Sequence, residues 1–397
     1  MLAKFLLIVY IGKYLSIDDL GEYGLFVTTI TIAIYFLGMD FYTYNTREIL
    51  AKGKDDRLPL IRDQFIFHLV VYVVVLPLML SVFAMGIINI EYIIYFYLIL
   101  VFEHLSQELY RLYTTLQKPI FANTLLFLRT GLWVYVIIVF WHFHIPNTTN
   151  LKTIWYGWSI GSFISILIGI SYIFKEYNFY KLKKNINWSW IKQGVKVSIP
   201  LFIGTLAYKI IEFCDRYMID YYMTKADVGI YTFFGGIANS INIIVFTTVV
   251  MIYYPILISL YQHSKTLEYE NELRSFTFKT ILVSFIVAIA IIFLVFPILD
   301  FMDKNNLKEH IHILYLLVIA NILLNITLVP HYILYVMKKD LIIRNSSMIG
   351  AILNILLNLV LIQYYGISGA AIATIFSFTA IGILKYTSSR KYRNDSF

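Results

Sequence analysis

Long apolar runs, broken at intervals by short polar clusters, dominate the chain. A helix that crosses a bilayer needs about 20 mostly apolar residues. Runs of that kind occupy 24–44, 65–90, 92–113, 120–141, 153–174, 196–219, 228–258, 277–299, 311–336, 345–363 and 367–386. A shorter apolar stretch at 2–15 brings the number to twelve. Membrane strands would instead show as segments of about 10 residues alternating in polarity, and no such alternation is present. The pattern predicts an all-α polytopic membrane protein of about twelve transmembrane helices.

Composition agrees. Of 397 residues 59% are hydrophobic and 14% charged, with a mean hydropathy of +0.73, whereas a soluble domain carries about 25% charged residues. Cys214 is the single cysteine, so no intrachain disulfide forms, and no Cys and His run has the spacing of a zinc or haem site. No cofactor is expected. The net charge of +8 would in a soluble chain point to nucleic acid, but here its location decides. With every second connection taken as cytoplasmic, that side holds Arg47, Lys52, Lys54, Arg57, Arg62, Arg111, Lys118, the lysines from Lys175 to Lys196, Lys265, Arg274, Lys279, Lys338, Lys339, Arg344, and Lys385 through Arg393. The other side holds only Lys13, Lys152, Arg216, Lys225, Lys304 and Lys308, while Lys4, Arg129 and Lys209 fall within spans. The positive-inside rule then places the C-terminal tail in the cytoplasm. Basic charge thus reflects topology and attraction to anionic membrane lipid, and no nucleic-acid partner is expected. Trp141 and Trp155 on the outer side, with Trp188 and Trp190 on the inner, are expected to form interfacial belts.

Two short motifs recur. Asp19-Leu20-Gly21-Glu22-Tyr23-Gly24-Leu25-Phe26 matches Asp227-Val228-Gly229-Ile230-Tyr231-Thr232-Phe233-Phe234, an offset of 208 residues. Tyr156-Gly157-Trp158-Ser159 matches Tyr365-Gly366-Ile367-Ser368 at an offset of 209. Each is expected in an equivalent outer loop. Together they predict two six-helix halves related by a parallel pseudo-two-fold repeat, with a cavity between them. The boundaries expected are 1–174 for the N-terminal half, 175–195 for a cytoplasmic amphipathic linker, 196–386 for the C-terminal half and 387–397 for a cytoplasmic tail. In that register Met1 aligns with Lys209, so the first span looks short or truncated. Upstream codons are expected to encode roughly 10–20 further apolar residues, enough to complete a span.

The stretch from Trp190 through Pro200 to Asp215-Arg216, then Asp227-Val228-Gly229-Ile230-Tyr231, resembles the start of the second half in bacterial polysaccharide repeat-unit (O-antigen and capsule) flippases. Asn358-Leu359 followed by Tyr365-Gly366-Ile367-Ser368-Gly369-Ala370-Ala371-Ile372-Ala373-Thr374 does likewise, and Leu20-Gly21-Glu22-Tyr23-Gly24 is similar to that family's first loop. The family belongs to the multidrug/oligosaccharidyl-lipid/polysaccharide exporter superfamily. The resemblance implies translocation of undecaprenyl-pyrophosphate-linked oligosaccharide across a bacterial cytoplasmic (inner) membrane, with polysaccharide polymerase and chain-length proteins as partners. It departs from the family in the short first span.

The residues themselves favour transport over chemistry. No outer loop exceeds about a dozen residues, roughly the limit for structureless loops, and no G-x-x-x-x-G-K-[ST] is present for ATP. Asp18-Asp19 and Asp55-Asp56 lack partner ligands and are read as caps or solvated loops. The chain is therefore expected not to be an enzyme. Ionisable residues within spans are costly and functional by default. Arg129 and Lys209 lie near the midpoints of their spans, one in each half, as an anionic pyrophosphate in passage would require; the alternative is permanent pairing of each with a carboxylate. On span seven Thr205, Tyr208, Lys209, Glu212, Asp215 and Arg216 share one helical arc, and on span four Glu103, His104, Gln107, Glu108 and Arg111 share another. Candidate substrate ligands are Arg129, Lys209, Arg216 and Arg111, and candidate ion carriers are Glu212, Asp215, Glu103 and Glu108. His68 and His331 are read as hydrogen-bonded structure, and Asn321, Asn325, Asn354 and Asn358 as interhelical glue. Residues 178–193, with Lys181, Lys183, Lys184, Trp188 and Trp190, are read as an interfacial amphipathic linker. Competing readings are a drug or small-solute antiporter, which for a cationic drug would favour an acidic cavity, and a membrane glycosyltransferase or polymerase, which a large outer loop with paired acids would suggest.

Overall fold

A computed structural model describes residues 2–179 and 185–396. In chain order the helices are α1 (Leu2–Tyr14), α2 (Ile17–Gly38), α3 (Phe41–Leu50), α4 (Lys54–Leu78), α5 (Leu80–Ala84), α6 (Ile93–Thr115), α7 (Pro119–Phe127), α8 (Trp133–His142) and α9 (Leu151–Glu176). They continue as α10 (Trp188–Tyr222), α11 (Lys225–Val245), α12 (Met251–Gln262), α13 (Thr266–Met302), α14 (Asn305–Glu309), α15 (Ile311–Val336) and α16 (Asp340–Ser396). Two π-turns, Leu128–Leu132 and Phe246–Val250, join α7 to α8 and α11 to α12. Among the described residues nine helical stretches are long and apolar enough to cross a membrane. One of these, Asp340–Tyr392, is broken by Gly366 at φ 57° and ψ −140° and counts as two crossings. With α6, which carries Glu103, Glu108 and Arg111 along its length, and the short α1, the described residues hold twelve. At 1.5 Å per residue the 13 residues of α1 extend about 20 Å.

The six-helix repeat expected from the sequence is present, and its motifs have identifiable work. Ser16 Oγ donates to Asp19 Oδ2 at 2.6 Å while Asp19 N donates back to Ser16 Oγ at 3.0 Å. Thr224 and Asp227 reproduce this at 2.6 and 3.2 Å. Each is a capping box that satisfies the first turn of its helix. The aspartates of the repeated motif thus start α2 and α11 rather than sit in loops, and α2 begins at Ile17, ahead of the expected 24. The glycines bring these two helices together. A Cβ on Gly21 would lie 1.9 Å from the carbonyl oxygen of Lys225, and one on Gly229 would lie 2.2 Å from that of Ile17. Since Ile17 and Lys225 are equivalent in the repeat, the crossing is its own image when the two motifs are exchanged. Both helices also break at one register: Met39 and Asp40 take φ of 45° and 50°, and the π-turn Phe246–Val250 begins 208 residues after Gly38.

The second motif is less alike. Gly366 breaks a helix, whereas Tyr156–Ser159 lies inside α9, because the Asn150 side chain accepts from Thr153 N at 3.0 Å and starts that helix early. Gly157 serves packing there, with its Cβ position 2.8 Å from Ile137 Cδ1.

The chain divides into two compact units, one of Met1–Tyr10 with Leu25–Leu206, the other of Ile11–Gly24 with Ala207–Phe397. In the first, a core of Phe41, Tyr44, Leu109, Tyr113, Leu125 and Trp190 joins α3, α6, α7 and α10. Trp190 is therefore not an interfacial anchor: it packs 5.5 Å from the Phe41 ring, and only Trp188 is exposed. Trp141 and Trp155 are likewise fully buried, Trp155 stacked 3.8 Å from Phe26. The expected linker differs too. Lys181, Lys183 and Lys184 lie outside the described residues, and Asn187, whose side chain accepts from Trp190 N at 3.0 Å, starts α10 at Trp188. Arg62 and Asp63 hold Asn185 O and Asn187 N at 2.8 and 3.1 Å, fixing this segment to α4. The second unit has its own core, in which Ala207 and Ile211 of α10 meet Ala320 and Leu324 of α15 and Ala351, Phe378 and Ile381 of α16.

Candidate functional site

Helix α6 carries Glu103 and Glu108 five residues apart, and the two carboxylates face different neighbours. Glu103 Oε2 accepts from Trp158 Nε1 at 2.9 Å and Ser162 Oγ at 3.0 Å, both on α9. Its Oε1 lies 3.5 Å from Arg129 Nε. Arg129 sits in the π-turn of the fifth span, a geometry rare in helices and frequent at functional sites. Trp133 Nε1 donates to its carbonyl at 2.8 Å, and Gly161 lets the Leu128 carbonyl approach to within 2.7 Å of its Cβ position. Arg129 is 7% exposed as a residue, and its Nε and Nη1 have no hydrogen-bond partner among the described residues. Lys4, 5.5 Å from the Trp158 ring centre, lies within electrostatic reach of Glu103 and Arg129. One carboxylate therefore answers two cations.

Glu108 is engaged differently. Arg111 Nη1 donates to its Oε1 at 2.6 Å, and Arg111 Cζ lies 3.9 Å from the Tyr42 ring centre, so this guanidinium is already committed. Gln64 Nε2 donates to Oε2 at 2.6 Å.

In the second unit α10 carries two cations, Lys209 and Arg216, and two carboxylates, Glu212 and Asp215. Lys209 Nζ donates to Glu212 Oε2 at 2.5 Å, and Arg216 donates to the Glu212 carbonyl at 3.0 Å and Thr232 Oγ1 at 3.3 Å. Asp215, on the expected polar arc, turns away from this group. It is buried and accepts from Tyr231 OH at 2.5 Å, Asn358 Nδ2 at 2.7 Å and Thr374 Oγ1 at 2.8 Å. The repeated tyrosine Tyr231, Asn358 and Thr374 thus converge on one carboxylate. Among the described residues, only Asn358 of the four asparagines bridges helices in this way: Asn354 accepts from Asn358 on the same helix, Asn321 bonds its own helix at Leu317 O, and Asn325 has no side-chain partner there. Because a hydrogen bond to a charged group contributes about 1.5–3 kcal/mol, Asn358→Leu is expected to lower the melting temperature of the purified protein by several degrees. An unchanged melting curve would remove Asp215 from the stabilising core.

The structure brings Arg129 to Glu103, Arg111 to Glu108, and Lys209 to Glu212. Lys4 and Trp158 were missed as partners of Glu103. The signal was available for Lys4, which the 208-residue register places opposite Glu212.

The family described as Polysaccharide biosynthesis protein matches residues 1–261. The chain belongs to this family. Its fold is similar to that of a multidrug resistance MATE family transporter of the MOP superfamily in an inward-facing conformation, with TM-score 0.81, 13% identity, and 98% of this chain and 94% of that one covered. It is also similar to the lipid II flippase MurJ in an inward closed conformation, with TM-score 0.75, 14% identity, and 98% and 85% covered. An outward-facing MATE transporter of the same superfamily matches at TM-score 0.67 and 13% identity over 98% and 91%. No curated protein matches the chain. The protein is thus a multi-pass membrane protein with the fold of MOP-superfamily transporters and flippases.

Proposed function

We propose that the protein flips polyprenyl-pyrophosphate-linked oligosaccharide repeat units, of O-antigen or capsule type, from the cytoplasmic to the outer leaflet by alternating access. The observation that carries this is Arg129, a guanidinium in a membrane helix whose Nε and Nη1 have no hydrogen-bond partner among the described residues and whose carboxylate is shared with Lys4. A charge at mid-span costs about 2.5–3.5 kcal/mol on insertion scales, and a surplus cation is offset when a pyrophosphate arrives to accept its free hydrogen bonds. Lys209 and Arg216 on α10 are further substrate ligands, balanced at rest by Glu212 and Asp215, and Arg111 serves to hold Glu108. Membership of a polysaccharide biosynthesis family and likeness to a lipid II flippase support the same substrate class over a cationic drug, which the cation-rich cluster at Arg129 would repel. The membrane is the bacterial inner membrane, with the C-terminus cytoplasmic.

Expression in flippase-deficient strains that carry different glycan pathways tests this reading. Surface polysaccharide is expected to return in at least one; its absence from all, with the protein present in the membrane, would sink the proposal. Movement draws on an ion gradient through Glu212 or Asp215, while Glu103 and Glu108 act as counter-ions to Arg129 and Arg111. In proteoliposomes an imposed proton or sodium gradient is expected to raise the initial rate severalfold, and indifference to both would remove the coupling.

A further inference from the structure

Beside Arg111, the polar groups of α4 and α6 form a second centre that the transport proposal does not use. We infer that His68, His104 and Glu108 bind one divalent transition-metal cation of the zinc class. One ligand atom from each lies within 4.8 Å of the other two. His68 Nε2 is 3.5 Å from Glu108 Oε2, and His104 Nε2 is 4.0 Å from Oε1. Zinc–nitrogen and zinc–oxygen bonds near 2.0–2.2 Å set tetrahedral ligands about 3.3 Å apart, a contraction that side-chain rotation supplies.

The protonation pattern suits a metal. His68 Nδ1 lies 3.2 Å from the Leu37 carbonyl, which only an N–H can satisfy, so Nε2 carries the lone pair. His104 Nδ1 meets Tyr72 OH at 2.7 Å, and its Nε2, fully buried, has no hydrogen-bond partner among the described residues. Arg111 occupies Glu108 Oε1, leaving Oε2 as the metal ligand. Each of the three ligands is thus held from behind, by a carbonyl, a phenol and a guanidinium, as ligands in metal sites are. The Arg111 charge is the opposing term, and its position on the far carboxylate oxygen and over the Tyr42 ring keeps it out of the coordination sphere.

Gln64 borders the centre: its Nε2 donates to Glu108 Oε2 at 2.6 Å and stands 3.4 Å from His68 Nε2. So does Gly38, where a Cβ would stand 3.5 Å from His104 Nε2 and 3.8 Å from Glu108 Oε1. Two histidines and one carboxylate supply three ligands of a tetrahedral zinc and leave its fourth position open, and the bound ion would tie α4 to α6.

The test uses the full-length protein in detergent, stripped with EDTA and titrated with Zn2+ by calorimetry and with Co2+ by visible absorption. One zinc per chain by elemental analysis, the visible bands of tetrahedral Co2+ and a raised melting temperature are expected. His68→Ala and His104→Ala should abolish all three, and Tyr72→Phe, which keeps the ligands, should weaken zinc binding about 10–100-fold. Wild-type protein that retains no zinc and shows no Co2+ bands would overturn the inference whatever the variants do. Undiminished binding in folded His68→Ala and His104→Ala would overturn it equally.

Discussion

Gly21→Ala and Gly229→Ala are each expected to reduce the protein in the membrane fraction to a small remnant. The added methyl would stand 1.9 or 2.2 Å from a backbone carbonyl oxygen of the other helix, and backbone, unlike a side chain, has no rotamer into which to retreat. Overpacking costs about 1–3 kcal/mol where side chains yield, and this site lacks that relief. Against a total stability of about 5–15 kcal/mol such a loss at the crossing of α2 and α11 removes much of the margin. Gly53→Ala, where nothing lies within 4 Å of the added Cβ, is the control and should accumulate normally. Immunoblots of washed membranes and the melting temperature of any protein recovered measure both. Wild-type levels of Gly21→Ala and Gly229→Ala would mean that the helices separate at this point.

Arg129→Ala is expected to abolish surface glycan while leaving the protein at normal level in the membrane. The substitution removes the partly unpartnered guanidinium and leaves Glu103 with Trp158, Ser162 and Lys4, so the carboxylate stays paired and the helix stays folded. Arg129→Lys restores the charge without the planar fork that suits phosphate and should retain a minor fraction of activity. Normal glycan in Arg129→Ala would end the role given to this residue. Lys4→Ala should weaken transport less, since the Arg129 guanidinium, with the planar fork that suits phosphate, then remains beside Glu103.

Much of this was legible before any coordinates. Spans of about 20 apolar residues locate the helices, because bilayer thickness fixes length, but not their polar ends: α4 starts at Lys54 and α13 at Thr266, ahead of the expected 65 and 277. The 208-residue offset gave the repeat, since a capping aspartate and a crossing glycine each need one residue type at one position. Placement of the polar groups was less legible. Helical periodicity put Asp215 on an arc with Lys209 and Glu212, but which neighbour each meets depends on α11 and α16, far away in sequence. Glu103 and Glu108 likewise share an arc on α6 and serve separate partners on α9 and α4. The tryptophans misled for a related reason: an indole at interfacial depth can face lipid or protein, and Trp155 and Trp190 face protein. The π-turn at Arg129 has no signature that periodicity can detect.

The most direct test of the central claim is reconstituted flipping. A fluorescent polyprenyl-pyrophosphate-linked oligosaccharide is placed in both leaflets of proteoliposomes holding the purified 397-residue chain, and a membrane-impermeant quencher then reads the lipid reaching the outer leaflet. Wild-type protein is predicted to carry the inner-leaflet pool outward within minutes, and Arg129→Ala to match protein-free vesicles. Equal quenching with wild-type protein, Arg129→Ala and empty vesicles would contradict the account.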